Sequence, residues 1–387
     1  MSEQREHERW MRRCLALARR GAGRTSPNPM VGAVVARAPG ERRKEPRPLG
    51  EGWHRAAGRP HAEAEAIRAA EEAHGSAALR QATLYVNLEP CAHHGRTPPC
   101  ADLILRKGIP RVVVGGRDPH AEAAGGIERL REEGVDVAVG VLGNACRRLN
   151  EAFACRVERG RPLVTLKQAQ TLDGRVATRG GESRWISGEA ARTRVHRWRR
   201  QVDAVLVGRG TAASDDPRLT VRHVDLSEEE EQPRRLVLDR TGELAPSLRL
   251  FSDAHAARTT AVVGAGRPVP PYAGALRRAG GRLWRVTETG GHLDLGALLG
   301  RLGAPPDDES PVQSLLVEAG PGLATALVRR DLVDRYGLFV APRLLGTGTP
   351  AVGDRDAEAM ADTLDFAEHT WETVGPDVLF KGYRRPV

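Results

Sequence analysis

The sequence predicts an α/β protein of two domains, in which short apolar strands alternate with helices around mostly parallel sheets. Three observations predict it. At 387 residues the chain is long for a single core. Apolar runs of strand length alternate with helical periods along both halves. Between the halves, residues 144–160 are polar and helical and end at Gly160-Arg161-Pro162, which reads as a tether. These place a first domain at 1–147, a linker at 148–160 and a second domain at 161–387.

Each element has its own justification. Trp10, Met11, Cys14, Leu15 and Leu17 recur at helical spacing, so residues 3–20 form a helix that Gly21 stops. Residues 31–35 form an apolar strand and 50–53 its partner, with a charged hairpin insertion at 39–48 carrying Arg42, Arg43, Lys44 and Glu45. A helix over 61–73, a strand over 82–88, a helix over 101–107 and strands over 111–114 and 135–139 complete the first half. In the second half, strands are predicted at 163–166, 204–207, 235–238, 261–263, 315–318 and 335–340, and helices at 188–200, 293–302 and 322–329. The acidic run 227–231 and the stretch Pro268-Val269-Pro270-Pro271 are surface loops, and no internal repeat is visible.

Composition narrows the function classes. The net charge of +9 would suit a nucleic-acid partner, but the arginine excess is spread along both halves and aromatic residues make up only 4%. Its densest cluster, Arg197, Arg199 and Arg200, suits a solvated face or a small phosphorylated substrate, and no nucleic-acid partner is expected. Five cysteines, an odd number, form no disulfide framework and point to a reducing compartment, with Cys14, Cys146 and Cys155 as unreactive thiols. The first residues are too polar for a signal peptide. No apolar run approaches the roughly 20 residues of a membrane span. A soluble, cytoplasmic protein follows, with self-association into a homo-oligomer left open.

The strongest chemical signal is His61, Glu63, Cys91 and Cys100, in the segments Pro60-His61-Ala62-Glu63 and Pro90-Cys91 through Pro99-Cys100. One imidazole and two thiolates give three ligands for tetrahedral zinc and leave a fourth position for water. Zinc lowers the pKa of that water towards neutrality, and a carboxylate two residues after the histidine can shuttle its proton. This is the pattern of the zinc-dependent nucleobase deaminases. The ligands are expected at helix starts, where the helix dipole favours thiolate. His93 and His94 lie between the cysteines as rival ligands and are assigned to the loop.

The second half lacks a Gly-x-Gly-x-x-Gly turn, so a standard dinucleotide site is not visible. It does place Gly208-Arg209-Gly210-Thr211 directly after one strand and Gly320-Pro321-Gly322 after another. Glycines there let a ligand approach the backbone, and a helix opening at Gly320-Pro321-Gly322 suits a pyrophosphate. Read alone, either loop is a weak signal and reads first as an ordinary turn.

The chain resembles the bifunctional deaminase–reductases of riboflavin biosynthesis over nearly its whole length. The resemblance rests on the run from Thr25 to Val35, including Pro27-Asn28-Pro29, and on the zinc segments with their eight-residue cysteine spacer. It continues in Lys167-Gln168-Ala169-Gln170-Thr171-Leu172-Asp173-Gly174, Ser183-Arg184-Trp185-Ile186-Ser187-Gly188, the stretch from Gly208 to Arg222, and Glu318-Ala319-Gly320-Pro321-Gly322. The resemblance implies a cytidine-deaminase-like α/β/α sandwich followed by a dihydrofolate-reductase-like α/β domain. It implies Zn2+ and NADPH as cofactors, and a small phosphorylated pyrimidine as substrate. The first half would hydrolyse an exocyclic amine, with Glu63 as the proton carrier and Asn28 holding the ring; the second would reduce the ribosyl group to ribityl. Carried over residue by residue, Ala169, Trp185, Thr211 and Asp215, with Gly320, Pro321 and Gly322, would contact NADPH. Ser183, Arg199, Leu219, Arg222 and Glu318 would contact substrate, the two arginines as phosphate holders. Lys167 would polarise or protonate the ribose oxygens, or else face water at a strand end; Trp185 would stack on a ring, or else be core. One stretch departs from the family: Asp118-Pro119-His120-Ala121-Glu122-Ala123-Ala124-Gly125-Gly126 lacks the usual asparagine and is one residue shorter before Ile127. The rival reading is a zinc deaminase acting on another nucleotide or an RNA base, with a second half that binds ligand without catalysis.

Overall fold

The strand expected at 31–35 runs as Gly32–Arg37, and its alternating side chains define two opposite faces. Ala33 and Val35 join one apolar cluster, Val34 and Ala36 another. The computed structural model describes residues 3–37, 47–93, 98–227, 230–306, 309–353 and 358–385. Most of the charged insertion at 39–48 lies outside the described residues, as do His94 and part of the acidic run at 227–231. The chain divides into two compact units, the first running to Arg159 and the second beginning at Gly160.

In the first unit the order is α1 (Glu3–Ala18), β1 (Gly32–Arg37), β2 (Gly50–Trp53), α2 (Ala62–His74), α3 (Ser76–Leu79), β3 (Ala82–Val86), α4 (Cys100–Lys107), β4 (Arg111–Val114), α5 (Gly126–Glu132), β5 (Asp136–Val139), α6 (Gly143–Leu149) and α7 (Glu151–Arg159). The five-stranded sheet has the order β2-β1-β3-β4-β5. It is mixed rather than mostly parallel: β1 is antiparallel to β2 and β3, while β3, β4 and β5 are parallel. The neighbours β3–β4 and β4–β5 are each joined through a helix, the crossover that parallel pairing requires. Helix α1 buries Trp10, Met11, Cys14, Leu15 and Leu17 against Val34, Tyr85 and Val113. Helices α2, α4 and α5 cover the other face through Ala66, Ile67, Ala101, Ile104, Ile127 and Leu130. The result is a three-layer α/β/α sandwich. Contact between α2 and β2 is close because Gly52 has no side chain; a Cβ there would run into the backbone of Ala62 and Ala66. That approach sets the start of α2, and with it His61 and Glu63, at the sheet.

The tether expected at 148–160, read as polar and helical, is mostly helix α7, in which Phe153, Ala154 and Cys155 are buried, and it groups with the first unit. Its apolar residues recur at helical spacing within a polar run, which made the segment look like a solvated spacer.

The second unit contains β6 (Leu163–Thr171), β7 (Arg175–Thr178), α8 (Glu189–Gln201), β8 (Ala204–Gly208), α9 (Arg209–Asp215), β9 (Arg234–Leu238), α10 (Arg249–Ser252), β10 (Thr259–Gly264), α11 (Ala273–Arg278), β11 (Arg282–Val286), β12 (Glu288–Thr289), β13 (His292–Leu293), α12 (Leu295–Gly303), β14 (Ser314–Glu318), α13 (Pro321–Arg329), β15 (Arg335–Ala341), β16 (Gly348–Pro350), β17 (Glu368–Val374) and β18 (Asp377–Tyr383). Its nine-stranded sheet has the order β11-β10-β9-β8-β14-β6-β15-β18-β17, with all strands in one direction except β18, which runs antiparallel to both β15 and β17. Leu206, Leu236 and Leu315 face α12 and α13, while Val205, Val237 and Leu316 face the cluster built with α10 and α11. Among the described residues, no helix is long and apolar enough to cross a membrane.

Candidate functional site

Two sites emerge, one in each unit. In the first, His61 is the N-cap of α2 and Cys100 the first residue of α4. Cys91 lies in irregular backbone after β3, not at the helix start expected for it. It gains a comparable environment from α4, whose Cys100 N–H donates to the Cys91 sulfur at 3.3 Å. The His61 Nδ1 atom lies 3.6 Å from the Cys91 Sγ and 3.3 Å from the Cys100 Sγ. All three ligand atoms fall within 4.8 Å of one another. Zinc bonds of about 2.3 Å to sulfur and 2.0–2.1 Å to nitrogen place N and S roughly 3.6 Å apart in a tetrahedron, so the donor set fits zinc. The neighbouring Cys100 thiol, with help from His61, pulls Cys91 down to about 4 against its burial, so Cys91 is the thiol that ionises first. His93 is exposed and stands outside this set.

Glu63, the second residue of α2, is 3% exposed. Burial pushes its carboxyl up to about 7, with the Cys91 sulfur adding to the rise and His61 opposing it. A carboxyl poised there can both take and release a proton near neutral pH.

The structure adds His54, which the sequence reading passed over. Its Nδ1 lies 3.1 Å from the Pro60 carbonyl, which can only accept, so Nδ1 carries the proton. Its Nε2 is therefore an acceptor and meets the Asn28 amide nitrogen at 3.1 Å. This fixes the flip of Asn28 and turns its carbonyl oxygen away from His54. The His54 ring also stands edge-on to His61, centroids 5.6 Å apart. A single histidine in Gly52-Trp53-His54 carries no periodic signal; only its place seven residues before His61 could have drawn attention.

Glu89 was also missed. Its buried carboxylate accepts the backbone N–H groups of Asp118, Gly125 and Ile127, so it ties the divergent 118–126 stretch to the segment bearing Cys91. A Cβ on Gly126 would strike the Pro90 carbonyl, so this stretch packs directly against that segment.

In the second unit, every residue proposed for cofactor or substrate lines one cavity of about 1050 Å³. Lys167 and Glu318 sit side by side on the adjacent parallel strands β6 and β14. Arg199, from α8, grips Glu318 with two hydrogen bonds of 2.6 and 2.9 Å and donates a third, of 3.0 Å, to the Thr220 carbonyl. Burial favours protonation of Glu318, but Arg199 and then Lys167 outweigh it and hold the carboxyl at about 2. Burial also lowers the Lys167 pKa, which Arg199 reinforces and Glu318 and Asp215 resist.

Gly208 caps α9 and Gly320 caps α13, at and just past the ends of the neighbouring strands β8 and β14. A Cβ on Gly320 would lie 3.3 Å from the Thr211 hydroxyl, so the two glycine loops adjoin. At Gly210 and Gly322 a Cβ would meet nothing within 4 Å, which leaves both backbones open to a ligand. Ala169 and Asp215 line the same cavity, as do Ser183 and Leu219. Trp185 is not core: it is 63% exposed, with Arg192 over its ring at 4.6 Å. Arg222 also lines the cavity and bonds the Thr220 hydroxyl at 2.9 Å through one nitrogen. With Arg218, Arg240 and Arg330 it makes the wall cationic, suited to phosphorylated ligands.

Comparison with known proteins agrees with this division. A family model described as "Cytidine and deoxycytidylate deaminase zinc-binding region" matches residues 4–116, and one described as "RibD C-terminal domain" matches residues 162–380. The curated "Riboflavin biosynthesis protein RibD" of Aquifex aeolicus (strain VF5) is 38% identical, over 97% of this chain and 98% of that protein. The protein of the same name from Escherichia coli (strain K12) is also 38% identical, over 96% and 98%. Among solved structures, Acinetobacter baumannii RibD is 34% identical with a TM-score of 0.84, covering 98% of this chain and 99% of that one. A Thermotoga maritima protein described as a diaminohydroxyphosphoribosylaminopyrimidine deaminase/5-amino-6-(5-phosphoribosylamino)uracil reductase is 32% identical with a TM-score of 0.81, covering 98% and 99%. The expected fold classes, a cytidine-deaminase-like sandwich and a reductase-type α/β domain, are those of these relatives.

Proposed function

The chain belongs to the RibD family of riboflavin-biosynthesis proteins, and from that membership we propose that His61, Cys91 and Cys100 hold its zinc while Lys167, Arg222 and Glu318 handle the sugar phosphate it reduces. It is a bifunctional enzyme with zinc and NADPH as cofactors. The first activity deaminates a diaminopyrimidinone ribosyl phosphate, and the second reduces the ribosyl group of the deaminated product to ribityl. We place the boundary between the two catalytic domains at Arg159 and Gly160, where the compact units divide.

Bound zinc would supply a Lewis acid that makes water nucleophilic at neutral pH. Glu63 takes the proton from that water and delivers it to the leaving amine; its burial and carboxyl value of about 7 support this role. Asn28, oriented by His54, offers its carbonyl oxygen to an N–H of the pyrimidine ring. Glu89 keeps the 118–126 stretch in place beside Cys91.

NADPH would supply hydride in the second site. The loops at Gly208–Thr211 and Gly320–Gly322 hold its phosphates, with Ala169, Trp185, Thr211 and Asp215 along the cofactor. Lys167 donates the proton that the ribose oxygen needs as the sugar ring opens, its ammonium steadied by Glu318. Ser183 and Leu219 border the substrate. Of the two arginines, Arg222 is assigned the phosphate, because Arg199 already spends its guanidinium on Glu318 and Thr220. The five cysteines, none of them in a disulfide, support a reducing, cytoplasmic setting.

The observation that carries the deaminase half of this reading is the His61–Cys91–Cys100 triangle at zinc spacing beside buried Glu63. The test is incubation of the full chain with zinc, NADPH and the diaminopyrimidinone ribosyl phosphate. Ammonia release followed by NADPH oxidation is expected. Ammonia release from cytidine or transfer RNA instead would favour the rival deaminase reading.

A further inference from the structure

The stretch from Asp216 to Arg222 forms one wall of the second unit's cavity without belonging to any strand or helix. Two of its residues have left-handed backbone, Asp216 at φ 40° and Leu219 at φ 54°. Among the described residues, none of 217–222 makes a backbone–backbone hydrogen bond. Such a loop has no conformation of its own to fall back on.

Side chains hold it instead. Arg235, 1% exposed and clamped by Asp253, donates to the Arg218 carbonyl at 3.0 Å. Arg199 donates to the Thr220 carbonyl at 3.0 Å. Gln232 satisfies both polar groups of Val221, accepting its N–H at 2.7 Å and donating to its carbonyl at 3.2 Å. That is the pairing a neighbouring strand would offer. His196, 5% exposed on α8, accepts the Arg222 N–H through Nδ1 at 3.1 Å, with His223 packed on its ring at 4.5 Å.

Arg199 and Arg235 have other duties, one with Glu318 and one in the core. Gln232 and His196 differ: neither lines the cavity, yet each grips the backbone at or next to Arg222. We propose that Gln232 and His196 are positioning residues of the reductase, fixing the Val221–Arg222 backbone so that Arg222 presents its guanidinium to the substrate phosphate. The proposal rests on the assignment of Arg222 to that phosphate. Neither residue touches substrate, so their effect must pass through Arg222 and must depend on the phosphate.

The test is steady-state reduction by the full-length protein, with the phosphorylated deaminated substrate and with its dephosphorylated riboside. Gln232→Met and His196→Leu each remove hydrogen bonds to the loop; His196→Asn keeps an acceptor where Nδ1 stood. We expect each of the first two to raise KM for the phosphorylated substrate roughly five-fold, the size of one lost hydrogen bond, with kcat little changed. His196→Asn restores most of the loss. The rise is absent with the riboside and absent when Arg222→Ala is already present. Ammonia release by the same proteins reports on the state of the first unit, and Gln232→Met stands in if His196→Leu folds poorly. Unchanged KM in both Gln232→Met and His196→Leu, while Arg222→Ala raises it, overturns the positioning role. A KM rise that persists with the riboside or in the Arg222→Ala background also overturns it, showing general loosening. If Arg222→Ala alone leaves KM unchanged, the phosphate assignment itself fails and takes the proposal with it.

Discussion

Arg199 and Glu318 face each other through two parallel hydrogen bonds, Nε to Oε1 at 2.6 Å and Nη2 to Oε2 at 2.9 Å, inside the second unit's cavity. Both side chains are largely out of water, 9% and 14% exposed, so each serves as the other's counter-charge. The pair also touches both sides of the site, because Glu318 neighbours Lys167 and Arg199 holds Thr220.

Glu318→Gln leaves the Arg199 guanidinium without its counter-charge. Breaking a buried pair costs about 3 kcal/mol, so the unfolding transition of the second unit should move to lower temperature by calorimetry. NADPH oxidation should fall while ammonia release stays near its original rate. Retained reduction in a stable Glu318→Gln protein would remove Glu318 from the mechanism.

Acid should weaken the second unit in two stages. Burial, with Arg199 and Arg222, depresses His196 to about 3, and the Arg199 pairing outweighs burial to hold Glu318 at about 2. Both folded values lie below the ordinary ones, so the unfolded chain binds protons first and stability falls as pH drops. The His196 contribution declines as pH falls below its ordinary value of 6.5 towards 3, and that of Glu318 from 4.5 towards 2. Denaturant titrations across pH should show the upper stage diminished in His196→Asn. An identical pH profile in that variant would contradict the assignment.

Cys91→Ser and Cys100→Ser should each lose zinc together with ammonia release, because two remaining ligands hold the metal poorly. Glu63→Gln should keep zinc and lose on the order of 10²–10⁴ in turnover, the usual worth of a positioned proton carrier. Metal content and ammonia release measured on the same preparations check both. A Glu63→Gln protein without zinc would make Glu63 a ligand.

His54 and Asn28 should act as one device in deamination. Replacing His54 by Phe frees the Asn28 amide to flip, and Asn28→Ala removes the oxygen altogether. Each should raise the deaminase KM by roughly five-fold, the scale of one hydrogen bond, and the double variant should be no worse than Asn28→Ala. Additive losses in KM would show that His54 meets substrate on its own account.

The proposed zinc ligands, which the structure brings within 4.8 Å of one another, were legible because their residue types are rare and their chemistry narrow: two cysteines and a histidine spaced around Glu63. The residues proposed for the reductase site, which line one cavity, were legible only through resemblance, since Lys167, Arg222 and the glycine loops are individually commonplace. His54, Glu89, Gln232 and His196 escaped because they act on backbone or on another side chain, and no spacing announces that. Strand β6 was expected to end at 166 but continues to Thr171, paired with β15 as far as Ala341. Lys167, Gln168 and Gln170 broke its apolar pattern, and Lys167 and Gln168 line the cavity. The β17–β18 pair was not predicted, because β17 lies at the sheet edge and exposes Glu368, His369, Thr370 and Trp371. Edge strands carry little of the hydrophobic alternation from which strands are read.

In this enzyme one chain carries two chemically separate sites that act in order. Glu63→Gln protein supplied with NADPH tests it most directly. Given the diaminopyrimidinone ribosyl phosphate, it should release almost no ammonia and oxidise almost no NADPH. Given the deaminated product, it should oxidise NADPH at the rate of the unaltered enzyme. NADPH oxidation on the undeaminated compound, or its loss on the deaminated one, would contradict the account.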